Sequence, residues 1–193
     1  VLVHGTVENQ KTNWSALAPL LKNEGYCAYT FNYGAGNFTL GQFYGLDRIP
    51  GGAAELKSFV DKVRFWSGRS KVDLVGHSQG GLLSRYYIQK LGGAARVEKL
   101  VATNNGTTLS GIATLSSDYP ELANVFVFSW CKACEDQVVG SPVVESVNEG
   151  GGLSPGVTYT NIATIHDEIA TPYTTAFMTG SNVTNIAVQD GCE

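Results

Sequence analysis

One serine of the sequence lies in a pattern that could support nucleophilic catalysis. Ser78 is the central residue of GHSQG, residues 76–80, which matches G-x-S-x-G. An apolar run at 72–75 comes directly before the motif, and residues 79–91 follow with helical spacing of their apolar side chains. This strand–turn–helix order favours a nucleophile elbow, in which a tight turn exposes the serine hydroxyl at the end of a strand. The alternative is an ordinary glycine-rich turn, since the motif alone is weakly specific in a chain with 23 glycines.

Attack by a serine also needs N–H donors directed at the oxyanion that develops on the substrate. Gln79 begins the predicted helix, so its backbone N–H lies where the helix dipole favours negative charge. The loop that begins at His4 after the first apolar run offers a second donor, the backbone N–H of Thr6. These two amides are the predicted oxyanion hole. His4 is interpreted as a hydrogen-bonded structural histidine, with a catalytic base as the alternative.

Short apolar runs alternate with helical patterns along the whole chain. Strands are predicted at 1–4, 27–33, 71–75, 98–103, 124–128, 157–163 and 185–189. Helices are predicted around 14–21, 56–63, 79–91 and 136–147, with Gly25 and Gly68 ending the first two. The alternation has no linker and no repeat, which predicts one α/β domain over residues 1–193 with a mostly parallel sheet and helices on both faces. Ligands of such sheets bind beyond the carboxyl ends of the strands.

Composition excludes several classes of protein. Of the 193 residues 43% are hydrophobic and 16% charged, which argues against disorder and against a coiled coil. The net charge of −4 leaves no basic surplus for nucleic acid or for an anionic membrane surface. No run approaches the roughly 20 apolar residues of a membrane span, so stable membrane insertion is not expected.

The four cysteines are an even number, which fits an oxidising compartment. Cys131 and Cys134 form a lone C-x-x-C without a second pair of ligands, so no metal site is expected. A thioredoxin-like role would need the motif directly after an early strand, which is not its place here. We favour a structural Cys131–Cys134 disulfide for proximity, although four cysteines allow three connectivities.

Several motifs, taken in order, resemble those of the secreted bacterial lipases of lipase class 2. They are VHGT at 3–6, DLVGHSQGG at 73–81, NGTT at 105–108, the Cys131/Cys134 pair, and the segment from Ile162 to Tyr173 with Asp167-Glu168 and Thr171-Pro172-Tyr173. The resemblance covers essentially the whole chain. It implies an α/β-hydrolase fold with little or no lid, secretion, and hydrolysis of lipid carboxylic esters by a Ser–Asp–His triad without metal or organic cofactor.

By this resemblance the triad acid is Asp167, in the loop after the predicted strand 157–163, with Glu168 as the alternative carboxylate. The base is not evident, because His77 lies inside the elbow and His166 adjoins the acid. The family's catalytic histidine would lie at or beyond Cys192. We therefore expect a chain truncated at both ends, with the base outside it and little activity of its own; His166 as a substitute base is the alternative.

Apolar residues near the expected site are candidates for contact with an acyl chain. They are Phe38, Leu40, Phe43 and Tyr44 of the loop 34–46, and Leu109, Ile112, Ile169, Pro172 and Tyr173, each of which could equally belong to the core. We expect a monomer that acts on a lipid or other ester. Two other functions stay open: an acyltransferase of the same fold, and a non-catalytic binding domain that has lost its base.

Overall fold

A five-stranded parallel sheet forms the centre of the molecule. The computed structural model describes residues 1–36, 41–104 and 110–191. The strands lie side by side in the order in which they occur in the sequence: β1 (Leu2–Val3), β2 (Val72–His77), β3 (Val97–Thr103), β4 (Thr158–Ala163) and β5 (Val183–Ala187). Because every neighbouring pair is parallel, all carboxyl ends lie at one edge of the sheet. This confirms the predicted parallel α/β architecture.

Helices connect the strands and cover the sheet. The α-helices of the described residues are α1 (Gln10–Asn13), α2 (Leu17–Asn23), α3 (Ile49–Ser67), α4 (Gln79–Lys90), α5 (Ser110–Asp118), α6 (Pro120–Ala123), α7 (Lys132–Asp136) and α8 (Pro142–Asn148). Single 3₁₀ turns occupy Gly93–Ala95, Glu149–Gly151, Tyr173–Ala176 and Val188–Asp190, and a π-helical turn occupies Asn124–Phe128. Among the residues that the structure describes, no helix is both long and apolar enough to cross a membrane.

Helix α3 shows how sequence spacing sets the core. Its buried side chains recur at intervals of three and four residues, which places them on one face: Ile49, Ala53, Leu56, Val60 and Val63. The Asp136 carboxylate accepts the Ile49 N–H at 2.8 Å and so satisfies a free donor of the first turn. Gly68 ends the helix with a φ of 68°, a conformation that glycine adopts without steric cost.

The backbones of β1 and α4 are in direct contact. A Cβ atom added to Gly80 would overlap the carbonyl oxygen of Val3 and lie 2.8 Å from that of His4. A Cβ atom on Gly76, at the end of β2, would lie 2.6 Å from the carbonyl oxygen of Gly80. Both glycines of the elbow motif are therefore required by close approach of main chain to main chain. The contact fixes the start of α4 against the end of β1.

Four predicted elements differ from the structure in kind or in number, and a fifth, the last strand, is shifted along the chain. The predicted strand 124–128 is wrong: these residues form the π-helical turn after α6, with Val125 and Phe126 exposed. A short apolar run does not distinguish a strand from a helical surface. The predicted helix 136–147 is two helices, because Pro142 cannot lie inside a helix and instead begins α8 after the Ser141 cap.

The other two differences concern the amino-terminal part of the chain. The predicted helix 14–21 begins only at Leu17, as α2, and the separate helix α1 before it begins where the Asn9 side chain accepts the N–H groups of Lys11 and Thr12. The predicted strand 27–33 contributes only a bridge between Thr30 and Leu2. The last strand lies at Val183–Ala187, two residues before its predicted position.

The contact between β1 and α4 predicts opposite effects of alanine at two helical glycines. Gly80→Ala should lower the free energy of unfolding by about 3 kcal/mol or more, because neither backbone can move away from the new methyl group. Gly51→Ala in the first turn of α3 meets no atom within 4 Å, so it should raise stability by up to about 1 kcal/mol. Urea unfolding of both variants measures the difference. Equal effects would contradict the close approach.

Candidate active site

Ser78 occupies the tight turn between β2 and α4. Its φ of 50° and ψ of −121° lie in a region that side-chain-bearing residues rarely adopt. The turn is held by hydrogen bonds on both sides, since the Ser78 N–H donates to Thr103 O at 2.8 Å and the Gly81 N–H donates to Ser78 O at 2.9 Å. The side chain is half-buried. The strand–turn–helix predicted for G-x-S-x-G is present, with strain at the serine itself.

Thr6 and Gln79, whose amides were predicted as oxyanion donors, lie on neighbouring segments. Gln79 is the first residue of α4, and its side chain donates from Nε2 to Thr6 Oγ1 at 2.9 Å. Within the described part of the chain, the backbone N–H groups of Thr6 and Gln79 donate no hydrogen bond. Both amides are therefore free to donate to a group that approaches the turn.

A buried polar network holds the two segments together. Gln79 is fully buried; its Nε2 also donates to Gly45 O at 2.9 Å, and its Oε1 accepts the Tyr33 hydroxyl at 3.0 Å. Gln137 donates from Nε2 to Thr6 Oγ1 at 3.1 Å. Each hydrogen bond to the Thr6 hydroxyl restricts the loop that carries the Thr6 backbone N–H. The N–H is therefore held in position before substrate binds.

Asp167 lies in the loop that follows β4, at the same sheet edge as Ser78. His77, Thr103 and Ile162 lie in register across β2, β3 and β4, so the ends of the strands that precede the two loops are two strands, or about 10 Å, apart. Asp167 is half-buried, and its Oδ1 accepts the N–H groups of Ile169 at 2.9 Å and Ala170 at 2.8 Å. The alternative carboxylate, Glu168, is exposed.

The end of β5 is attached to the Asp167 loop by one side chain. Gln189 donates from Nε2 to Thr164 Oγ1 at 2.8 Å and accepts the Ile165 N–H at 3.1 Å. The chain after β5 therefore passes directly beside the loop that carries the predicted acid.

None of the three histidines is held between Ser78 and Asp167 in the described residues. His4 is fully buried, stacks on Tyr33 at 4.3 Å, and hydrogen-bonds through Nδ1 to Gly5 O at 2.8 Å, as its structural interpretation requires. His77 is engaged through Nδ1 with Glu8 at 3.0 Å. His166 is exposed. The described residues also contain no cluster of three or more metal-ligating side chains.

Comparison with known proteins identifies the family. The model of the family "Lipase (class 2)" matches residues 1–193. The chain belongs to the class 2 lipase family. Two triacylglycerol lipases, from Pseudarthrobacter phenanthrenivorans and Burkholderia plantarii, are each 34% identical over 91 residues, which are 45% of this chain and 26% and 24% of those proteins. The matched segment thus spans about a quarter of the length of these curated relatives.

Solved structures show the fold of this chain. Aspergillus fumigatus lipase B has a TM-score of 0.77 at 19% identity over 98% of this chain and 44% of its own. Paleococcus ferrophilus monoacylglycerol lipase has a TM-score of 0.67 at 15% identity over 96% of this chain and 82% of its own. Mature Bacillus licheniformis lipase BlEst2 has a TM-score of 0.63 at 19% identity over 83% and 63%. The predicted α/β-hydrolase fold is confirmed.

An apolar pocket opens beside the Thr6 loop. It has a volume of about 400 Å³ and is lined by Val7, Phe43, Leu46, Ser129 and Trp130. Sequence reasoning identified Phe43 as a candidate for contact with the acyl chain and did not name the other four. Val7 could have been predicted as a pocket residue, because it directly follows Thr6, the predicted oxyanion donor. Ser129 and Trp130 follow the segment that was wrongly predicted as a strand.

Of the residues predicted to contact substrate, Phe43 lines this pocket and the other described ones do not. Phe38, Leu40 and Leu109 lie outside the described residues. Ile112 is half-buried against the core, Ile169 is 65% exposed, and Tyr173 packs edge-to-face on Phe177 at 5.7 Å. Their contact with substrate stays a prediction.

Helix α7 connects the pocket to the rest of the site. The predicted Cys131–Cys134 disulfide is present at its start, and Cys192 lies outside the described residues. The Ala133 N–H donates to Leu46 O at 3.0 Å, and Arg48 pairs with the buried Asp136 at 2.6 Å. The disulfide thus begins a helix that is bonded to the pocket residue Leu46 and to Arg48, which fits a structural role for the cysteine pair.

Burial of His4 predicts a pH dependence of stability. Burial lowers the pKa of His4 below its ordinary 6.5, although the Gly5 hydrogen bond and the Glu8 charge oppose it. Below about pH 6.5 His4 becomes protonated in the unfolded chain but stays neutral in the folded chain. The free energy of unfolding therefore has its full value above that pH and decreases below it. His4→Gln should reduce the loss of unfolding free energy between about pH 7.5 and 5.5, measured by urea titration. The exposed His166→Gln should keep it; identical slopes for all three proteins would disprove the assignment.

Proposed function

We propose that this class 2 lipase hydrolyses carboxylic esters of lipids with Ser78 as the nucleophile. The observation that carries the proposal is the strained turn at Ser78, beside two backbone amides of Thr6 and Gln79 that have no acceptor in the described structure. The Ser78 hydroxyl attacks the ester carbonyl carbon, and the two amides donate to the oxyanion of the tetrahedral intermediate. The reaction uses neither metal nor organic cofactor.

Asp167 is proposed to be the triad acid. It holds the histidine in the correct tautomer and stabilises its protonated form after the base accepts the Ser78 proton. Neither His4 nor His77 is available, because both are engaged elsewhere. We propose that the base is a histidine outside these 193 residues. The contact of Gln189 with Thr164 supports this, since a residue that follows β5 would approach the Asp167 loop.

The pocket beside Thr6 supports an apolar substrate. Its walls are Val7, Phe43, Leu46 and Trp130, and it adjoins the loop of the proposed oxyanion donor. An acyl chain seated there gains burial of apolar surface while the ester carbonyl faces the amides. We propose that the protein is secreted, which the Cys131–Cys134 disulfide supports because such bonds persist in oxidising surroundings.

The location of the base predicts the activity of the 193-residue chain. Without the base it should hydrolyse p-nitrophenyl butyrate no faster than its Ser78→Ala variant, since only binding and the oxyanion donors contribute. A longer form that includes the residues after Glu193 should be at least about 10³-fold faster than its own Ser78→Ala variant.

Two outcomes separate the alternatives. A large difference between the 193-residue chain and its Ser78→Ala variant would show that a base acts within it, and loss of that difference in His166→Ala would identify the base. No difference in the longer form would contradict the proposed hydrolase. Product analysis with added alcohol tests whether the acyl group passes to an alcohol in preference to water.

The pocket predicts which residues set the chain-length preference. In the longer form, Trp130→Ala should raise KM for p-nitrophenyl octanoate several-fold more than for the acetate, because the longer chain loses apolar contact in the pocket. Trp66→Ala, an exposed aromatic near the far end of α3, is the matched control and should change neither value. Equal changes for both esters would place the acyl chain elsewhere.

A further inference from the structure

The loop after β1 and the nucleophile turn meet at one carboxylate oxygen. Glu8 Oε2 accepts the Gly5 N–H at 2.6 Å and lies 3.0 Å from His77 Nδ1. Gly5 directly precedes Thr6, and His77 directly precedes Ser78. A single oxygen therefore connects the segment that carries an oxyanion donor to the segment that carries the nucleophile.

Side chains of three residues converge on Gly5. A Cβ atom added there would lie 2.7 Å from Glu8 Oε2, 3.2 Å from His77 Nδ1 and 3.2 Å from Ser78 Cβ. Only a residue without a side chain lets the carboxylate approach both partners. This places the Glu8 carboxylate beside the nucleophile turn, although Glu8 does not belong to the proposed triad.

The loop that Glu8 closes is strained. Val7 has a φ of 61°, which is an outlier for a β-branched residue. Such a backbone persists only where its surroundings determine it from several sides. Here the Glu8 side chain holds the loop on one side, and the Gln79 and Gln137 amides hold the Thr6 hydroxyl on the other.

The charges around Glu8 keep it in the form that accepts both hydrogen bonds. Burial acts to raise the pKa of Glu8, but the hydrogen bond and charge of His77, the Gly5 N–H and the charge of His4 together lower it below its ordinary value. The ionised carboxylate has only acceptor sites and can accept both N–H groups at once.

We propose that Glu8 is a positioning residue of the oxyanion hole, which fixes the Thr6 N–H relative to Ser78 by bonding Gly5 and His77 at the same time. This inference rests on the proposed function. Without the carboxylate the strained loop relaxes, and the Thr6 amide moves away from the place where the oxyanion forms. A displacement of about 1 Å is sufficient to reduce the rate by about 10²-fold.

The test compares kcat, KM and inhibition by phenylboronic acid in the longer form that includes the residues after Glu193. Glu8→Ala should lower kcat for p-nitrophenyl butyrate by about 10- to 100-fold. It should weaken binding of the tetrahedral boronate by a similar factor while KM changes by less than about twofold, since only the oxyanion needs the Thr6 donor. Glu24→Ala, an exposed carboxylate at the end of α2, is the matched control and should change none of the three.

Two further substitutions keep the test informative if Glu8→Ala does not fold. The shorter side chain of Glu8→Asp cannot reach both partners and should lose at least about fivefold in kcat with KM unchanged. Glu8→Gln keeps an amide oxygen that can take the place of Oε2 and accept the N–H groups of Gly5 and His77, so it should recover most of kcat. The inference is overturned if Glu8→Asp and the Glu24→Ala control have the same kcat and boronate affinity.

Two controls separate this inference from the proposed function. If the wild-type protein is no faster than Ser78→Ala, the hydrolase proposal itself fails. Hydrogen exchange at residues 4–10, followed by mass spectrometry, then tests the loop without activity: Glu8→Ala should exchange faster there than Glu24→Ala, and equal exchange would overturn the positioning role. The double variant Glu8→Ala/His77→Ala should lose less activity than the two single losses combined, because each single change already removes the link between Glu8 and His77, while His77→Ala also removes the contact with Asn13.

Discussion

The site depends on the contact between the backbone of β1 and the first turn of α4. Gly80 lies against the carbonyl groups of Val3 and His4 so closely that no side chain fits between them. Because the loop of Thr6 continues from β1 and Ser78 precedes α4, this contact fixes their separation. Close packing of main chain cannot adjust by rotamer changes, so it defines positions more rigidly than side-chain packing does.

Polar contacts then refine what the backbone contact has fixed. The Thr6 hydroxyl receives hydrogen bonds from Gln79 and Gln137, and the Glu8 carboxylate closes the same loop from the other side. Buried polar groups are costly unless they are satisfied, and a fully connected network therefore specifies one arrangement. The strain at Val7 and Ser78 is tolerated because these contacts surround it.

Helix α7 joins the apolar part of the site to the polar part. Its disulfide and its contact with Leu46 hold one wall of the pocket, while Gln137, directly after the helix, reaches Thr6. The buried Asp136 pairs with Arg48 and accepts the first N–H of α3, so α3 is also bonded to α7. Pocket and oxyanion loop are thus supported by one short segment of chain.

Sequence reasoning predicted the elements whose signals are local. Glycine spacing around Ser78, apolar periodicity in α3 and the strand–helix alternation predicted the turn and the parallel sheet, because each depends on neighbouring residues. It misassigned 124–128, where a short apolar run fits a strand and a helical surface equally. Only the tertiary structure placed Trp130 in the pocket and Glu8 against His77. Such contacts join residues far apart in the chain, and a local sequence pattern does not indicate which side chains the fold brings together.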